Sequence, residues 1–155
     1  MKTMIKLLLS ICCAIGLSTS ALAAERGTAA EATELVKKAI AYYKANGKDK
    51  TFAEINDPKG QFINKDLYLF AGAVKSGGVT LAHGANPKML GKPLGDLKDV
   101  DGVYFVRKIN EVAGSKTGYG WVDYKWPNPT SKVIEQKSTY VERVDDIYFA
   151  CGIYK

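Results

Sequence analysis

The last third of the chain leaves the least freedom. Three strand-length runs, Gly118 to Trp126, Ile134 to Val144 and Ile147 to Tyr154, follow one another with little between them. Pro127-Asn128-Pro129-Thr130 begins the first gap, and Asp145-Asp146 fills the second. Gaps that short hold no crossover, so the runs should pair antiparallel as neighbours in one sheet. The first two would carry Tyr124, Trp126, Lys137 and Tyr140 close together. Aromatic walls, phenolic hydroxyls and one ammonium suit a small organic anion, with rings burying its apolar part and polar groups holding its charged end.

Strand alternation sorts these residues. Tyr124 and Trp126 are two apart and share a face, so Lys125 points the other way. Tyr140 is three residues beyond Lys137. Both reach one site only if a bulge or strong twist intervenes.

Upstream, apolar residues from Ala29 to Tyr43 recur at helical spacing, predicting a helix over Ala29 to Asn46. Thr28 with Glu31 reads as a capping box, and Gly47 follows the end. A short helix is expected over Thr51 to Asn56, closed by the turn Asp57-Pro58-Lys59-Gly60. Leu67 to Ala73 and Val79 to His83 read as a hairpin across Lys75-Ser76-Gly77-Gly78. Asn86 to Lys98 is irregular but carries Met89, Leu90, Leu94 and Leu97, so it should pack over something. A second clear helix is predicted over Asp101 to Ala113. Tyr104 and Phe105 near its start are placed to roof a cavity. Five strands with a helical crossover between the second and third make a PAS-like α+β architecture. The long N-terminal helix packs on one face of the five-stranded antiparallel sheet.

The first residues have a different purpose. Lys2 and Lys6 precede an apolar run from Leu7 to Leu17, and Ala21-Leu22-Ala23 supplies a small-residue cleavage site. That is a secretory signal peptide, 1–23, too short in its apolar part for a membrane span. Cys12 and Cys13 fall inside that run, and Ile11 is too bulky to precede a lipidated cysteine. Residues 24–155 then form one domain, in the periplasm or secreted, with no membrane anchor after cleavage. Loss of Lys2 and Lys6 lowers the net charge of +6 by two. The remaining lysines are scattered, which argues against nucleic acid and allows a modest preference for anions.

Composition also limits the chemistry. Only Cys151 survives cleavage, in an apolar strand, so an intramolecular disulfide is impossible and a buried thiol is expected. The chain has one histidine, His83, which excludes two-histidine and Cys/His metal sites. Asp96, Asp99 and Asp101 alternate, but the EF-hand pattern is missing. Asp145-Asp146 reads as a turn. No cofactor is expected. His83 lacks a nucleophile in a motif context, and a structural or carboxylate-contacting role fits it better than a general base.

The run Val79-Thr80-Leu81-Ala82-His83-Gly84-Ala85-Asn86-Pro87, with Gly91-Lys92 after it, resembles the bridge of single Cache sensor domains of the second type. Asp96 to Gly102, Gly120 to Pro127 and Lys137-Ser138-Thr139-Tyr140-Val141 continue the resemblance in order, over about Leu67 to Tyr154. Gln136 stands where the family usually has proline. The resemblance implies an extracytoplasmic, non-enzymatic sensor domain for acetate, propionate, lactate, pyruvate or a similar carboxylate. It implies ligand contacts from Lys137, Tyr140, Trp126, Tyr124 and His83, with Tyr104 and Phe105 above them. No signalling helix follows Lys155, so a free-standing form is expected. Its partner would be a membrane receptor or kinase, unless it buffers or carries the ligand. The rival expectations are a small secreted enzyme using His83 and an interaction protein with a degenerate cavity.

Overall fold

The computed structural model describes residues 25–155; the proposed signal peptide, with Cys12 and Cys13, lies outside the described residues. Helix α1 spans Ala29–Asn46. Thr28 Oγ1 accepts the Glu31 N–H at 3.2 Å, and Glu31 Oε2 accepts the Thr28 N–H at 2.7 Å. This capping box satisfies two N–H groups that the first turn would otherwise leave unpaired, a contribution of about 1 kcal/mol. Gly47, at φ 79°, turns the chain directly into α2, Lys48–Asn56, which starts earlier than the sequence suggested.

Six strands follow: β1 Ile63–Asn64, β2 Leu67–Ala73, β3 Thr80–His83, β4 Tyr119–Pro127, β5 Ile134–Val144 and β6 Ile147–Tyr154. The predicted five are all present, and the two-residue β1 is an addition. All pairs are antiparallel, in the order β1-β2-β6-β5-β4, with β3 also paired to β2. The architecture is α+β, with an antiparallel sheet packed between helices, as the sequence predicts. Helix α3, Phe105–Gly114, lies in the β3-to-β4 crossover. Its start is four residues later than Asp101. Asp99 accounts for the delay: its Oδ1 accepts the N–H groups of Asp101 at 3.0 Å and Val103 at 2.8 Å. Those bonds hold a turn through Gly102, at φ 81°, in competition with helix.

Each sheet face has its own core. Ala32, Val36, Ala39 and Ile40 of α1 pack with Ile55 of α2 on Leu69, Ala71, Tyr140, Phe149 and Cys151. On the other face, Phe105, Val106, Ile109 and Ala113 of α3 cover Val122, Tyr124, Val141, Tyr148 and Ala150. The irregular bridge contributes Leu94 and Leu97 to this second core. A sheet covered on both faces explains why β6 reads Ile-Tyr-Phe-Ala-Cys-Gly-Ile-Tyr, with no polar alternation.

Cys151 is a fully buried free thiol, and burial pushes its pKa up to about 12. Thiolate is the reactive form, so the group should be inert. For protein lacking residues 1–23, iodoacetamide should label Cys151 only after denaturation, and reductant should leave the melting temperature unchanged. Native-state labelling, or a loss of stability under reductant, would contradict this arrangement.

Candidate ligand-binding site

The face of the sheet that α3 covers also collects the polar residues of interest. Strand β5 runs in unbroken register with both β4 and β6. Alternation therefore places Lys137, Thr139 and Val141 on the α3 face and Tyr140 on the α1 face. No bulge brings Tyr140 round. Its ring packs against Trp121, centroids 5.4 Å apart, and its hydroxyl donates to Glu142 at 2.9 Å. The expectation that Tyr140 shares a site with Lys137 is corrected on that ground. Lys125 points away from the cavity, as alternation requires, and its Nζ pairs with Asp101 at 3.0 Å.

Lys137 is completely buried. Its Nζ donates to the Tyr68 hydroxyl at 2.7 Å and lies 4.1 Å from the Tyr68 ring centroid, 4.8 Å from that of Tyr154 and 6.0 Å from that of Phe70. Among the described residues no carboxylate comes within 4.0 Å of it. The Cys151 thiol stays protonated and supplies no counter-charge. Burial drives the Lys137 pKa down to about 7, against a smaller upward pull from Cys151 and Asp66. An ammonium withdrawn from water without an acidic partner is costly, and that cost is relieved by an anion that reaches it.

Backbone and side chains make room for this lysine. Gly152 pairs across the sheet from Thr139. A Cβ there would stand 2.0 Å from Lys137 Cε and 2.5 Å from Thr139 Oγ1. The missing side chain of Gly152 is the channel through which the lysine stem crosses β6.

His83 stands at the end of β3, its ring 5.2 Å from Tyr68 and 5.7 Å from Phe70. Its Nδ1 accepts the N–H groups of Ala85 at 3.2 Å and Asn86 at 3.0 Å. The ring proton is thereby assigned to Nε2, which is left as a donor. Burial, reinforced by the nearby Lys137 charge, lowers the His83 pKa to about 4, so the ring is neutral at pH 7. The Asn86 backbone contact shows what the His-x-x-Asn-Pro run does: it bends the chain back over the histidine and begins a 3-10 turn, Pro87–Met89.

Together these elements enclose a cavity of about 30 Å³, lined by Tyr68, Phe70, Thr80 and His83 from the sheet, Met89 and Leu94 from the bridge, Val106 and Ile109 from α3, and Tyr124, Trp126 and Tyr148. That is the volume of about one water, so the cavity is tight. A groove of about 280 Å³ adjoins it through Tyr68, His83 and Trp126 and opens between Asn86 and the β4–β5 turn. The turn is well anchored. Asn128 Oδ1 accepts the Thr130 N–H at 2.8 Å, and Tyr154 donates its hydroxyl to the Pro127 carbonyl at 2.9 Å.

Of the sequence-derived residues, Trp126, Tyr124 and His83 line the cavity, and Lys137 sits behind Tyr68. The Tyr124 hydroxyl pairs with Thr139 Oγ1 at 3.0 Å. Phe105 stacks on Tyr124 at 4.4 Å and so backs the wall instead of roofing the space. Tyr104 is turned outward, its ring 4.6 Å from Lys98 Nζ and 4.2 Å from Arg107 Cζ, and it does not reach the cavity. Tyr68, Phe70 and Gly152 were missed. Tyr68 and Phe70 alternate in the Leu67-Tyr68-Leu69-Phe70 run, which by its sequence reads only as one strand of a hairpin. A larger, open cleft of about 700 Å³ lies beside α3, between Lys75, Gly78, Asp96 and Glu111. It holds no buried ionisable group, and the chemistry concentrates in the smaller, enclosed space.

The model of the family described as single Cache domain 2 matches residues 18–154. The chain belongs to the single Cache domain 2 family. This Cache chain resembles a methyl-accepting chemotaxis protein from Vibrio parahaemolyticus at 26% identity and TM-score 0.65, covering 81% of this chain and 86% of that one. It also resembles the periplasmic sensor domain of a chemotaxis protein, at 18% identity and TM-score 0.61, over 79% of this chain and 86% of that one. A third likeness, at 22% identity and TM-score 0.61, is to a Cache chemosensory domain solved for its recognition of carboxylic acid, over 79% and 84% of the two chains. The second and third show a shared fold. The family and these neighbours are sensory.

Proposed function

We propose that this Cache domain is an extracytoplasmic, non-enzymatic receptor for a small carboxylate, held between the sheet and the bridge. The observation that carries the reading is the buried Lys137 ammonium with no acidic partner among the described residues. A ligand carboxylate supplies the missing charge, and His83 Nε2–H and the Tyr68 hydroxyl are the nearby polar groups suited to sharing it. Trp126, Tyr124 and Phe70 enclose the short apolar part. The small cavity continues through Tyr68, His83 and Trp126 into the adjoining groove, and the two together suit short acids such as acetate, propionate, lactate or pyruvate. A neutral His83 whose Nδ1 lone pair is already taken by the Ala85 and Asn86 N–H groups has none to spare as a general base, which supports binding over turnover. With cleavage after Ala23, the domain would act in the periplasm or outside the cell, delivering its occupied state to a membrane receptor or kinase.

The test is a thermal-shift screen of those acids, followed by isothermal titration of the best one. Lys137→Ala should weaken binding by about 2–5 kcal/mol, because a desolvated charge pair is lost. Lys125→Ala should cost about 0–1 kcal/mol, because its ion pair with Asp101 is solvated. If Lys125→Ala does the greater damage, the pocket assignment is wrong. If no small carboxylate binds the parent protein, the cavity is degenerate and the domain works through its surface.

A further inference from the structure

Lys137 combines three features that simple ion pairing does not require. Its amine is fully buried, its stem is fixed where it crosses Gly152, and its one hydrogen-bond partner among the described residues is a hydroxyl that also lines the cavity. That hydroxyl, on Tyr68, is 2.7 Å from Nζ and 3.4 Å from the hydroxyl of Tyr154. Tyr154 in turn donates to the Pro127 carbonyl at 2.9 Å. With burial holding the pKa near 7, a substantial fraction of the amine carries a free lone pair at neutral pH. A desolvated lysine in an aromatic pocket is a nucleophile toward carbonyl carbon, and an adjacent hydroxyl is the group needed to move protons during the addition.

We propose that Lys137 forms a reversible imine with small 2-oxo acids, so that the site holds them by a covalent bond as well as by charge. This rests on the carboxylate-binding reading of the same cavity. The nitrogen lone pair attacks the ligand's C2 carbonyl carbon, and the C=O pair becomes an alkoxide. Tyr68 passes a proton to that oxygen as the nitrogen sheds one, giving a carbinolamine. Loss of hydroxide with a second proton from nitrogen forms C=N and releases one water. Both amine hydrogens and the carbonyl oxygen leave as that water, and nothing is oxidised or reduced. The ligand carboxylate stays beside His83 Nε2–H. Acids without a 2-oxo group bind by charge alone. The bond is reversible because water re-adds to C=N by the same path.

Pyruvate with sodium cyanoborohydride at neutral pH is the direct test, read by intact mass and peptide mapping. The expected result is one adduct on Lys137, heavier by pyruvic acid less one oxygen atom, as reduction turns the imine into a secondary amine. Excess acetate should slow its formation by competing for the cavity. Tyr68→Phe should slow it by about 100-fold at saturating pyruvate, and Lys137→Met should abolish it. If pyruvate binds in titration but Lys137 remains unmodified, or only surface lysines react, the imine is overturned while the carboxylate reading stands. If neither acetate nor pyruvate binds, both fall together.

Discussion

Gly152→Ala is expected to lower both the stability of this protein and its affinity for ligand. The added Cβ would lie 2.0 Å from Lys137 Cε, far inside van der Waals contact, and 3.0 Å from Cδ. The lysine stem must leave its channel, carrying the ammonium away from Tyr68, or the β5–β6 pairing must part. Overpacking of this kind costs about 1–3 kcal/mol of stability. Displacement of the ammonium from beside Tyr68 costs a further 2–5 kcal/mol of ligand affinity, roughly 30-fold or more. Gly114→Ala serves as the control. Nothing lies within 4 Å of that Cβ, and the backbone is helical, so a small stabilisation of about 0.4–1 kcal/mol is expected. Thermal melts and titration of both variants check the pair. If Gly152→Ala binds ligand as the parent does, the lysine does not run where the structure places it.

Lys137→Met should separate stability from function. Methionine keeps the length of the stem and removes the charge that has no acidic partner among the described residues. Replacement of buried charge by an apolar side chain of similar volume is stabilising in favourable cases by about 1–4 kcal/mol. The same variant should bind no carboxylate. The pH dependence gives an independent check. The folded pKa of about 7 lies below the ordinary lysine value of 10.5, so between those limits the unfolded chain binds more protons than the folded one. Stability of the parent therefore rises with pH from about 7, by up to about 1.4 kcal/mol per pH unit, and the full cost of the buried charge is present below pH 7. The rise ends near pH 9, because burial holds the Cys151 thiol up to about 12, above its ordinary 9.0, and raises Tyr68, Tyr124, Tyr148 and Tyr154 above the ordinary tyrosine value of 10.0. Those groups resist ionising in the folded state, so stability declines again above that pH. Urea melts between pH 7 and pH 8.5 should slope upward for the parent and be nearly flat for Lys137→Met. A flat parent would mean that the amine is already solvated or paired.

Ligand binding carries the opposite pH sign. A carboxylate at Lys137 favours the ammonium and raises its pKa, so binding above pH 7 takes up a proton. Affinity should then fall by about tenfold per pH unit over the alkaline side. His83 stays neutral down to about pH 4 and contributes to the acid side instead. Its folded pKa lies below 6.5, so the unfolded state binds more protons and stability falls as pH drops from about 6.5 to 4.

Much of this architecture was legible in the residues themselves, for local reasons. The capping box and the apolar spacing place α1 at Ala29–Asn46, because helix periodicity and orphan N–H groups are properties of neighbours in sequence. The short gaps after Trp126 and Val144 compel antiparallel pairing, and strand alternation puts Tyr124 and Trp126 on one face with Lys125 on the other. Where local signals competed, the structure decided. Asp99 draws the backbone into a turn and delays α3 to Phe105, although Val103 and Tyr104 continue the apolar pattern of the helix.

The site itself needed the tertiary structure. Whether β5 carries a bulge is a question of its pairing with two neighbours, and their continuous register sends Tyr140 to the α1 face. Whether Lys137 is a solvated strand lysine or a buried cation depends on β2, some 70 residues earlier in the chain, which brings Tyr68 within 2.7 Å of its Nζ. The value of Gly152 depends on a side chain from the adjacent strand that passes over it. Sequence by itself determined which elements form and which way each side chain alternates, because those follow from covalent geometry and hydrogen-bonding neighbours. Only the tertiary structure decided which charge loses its water and which space is left to answer it, because burial is a property of the assembled sheet and the helix and bridge laid across it.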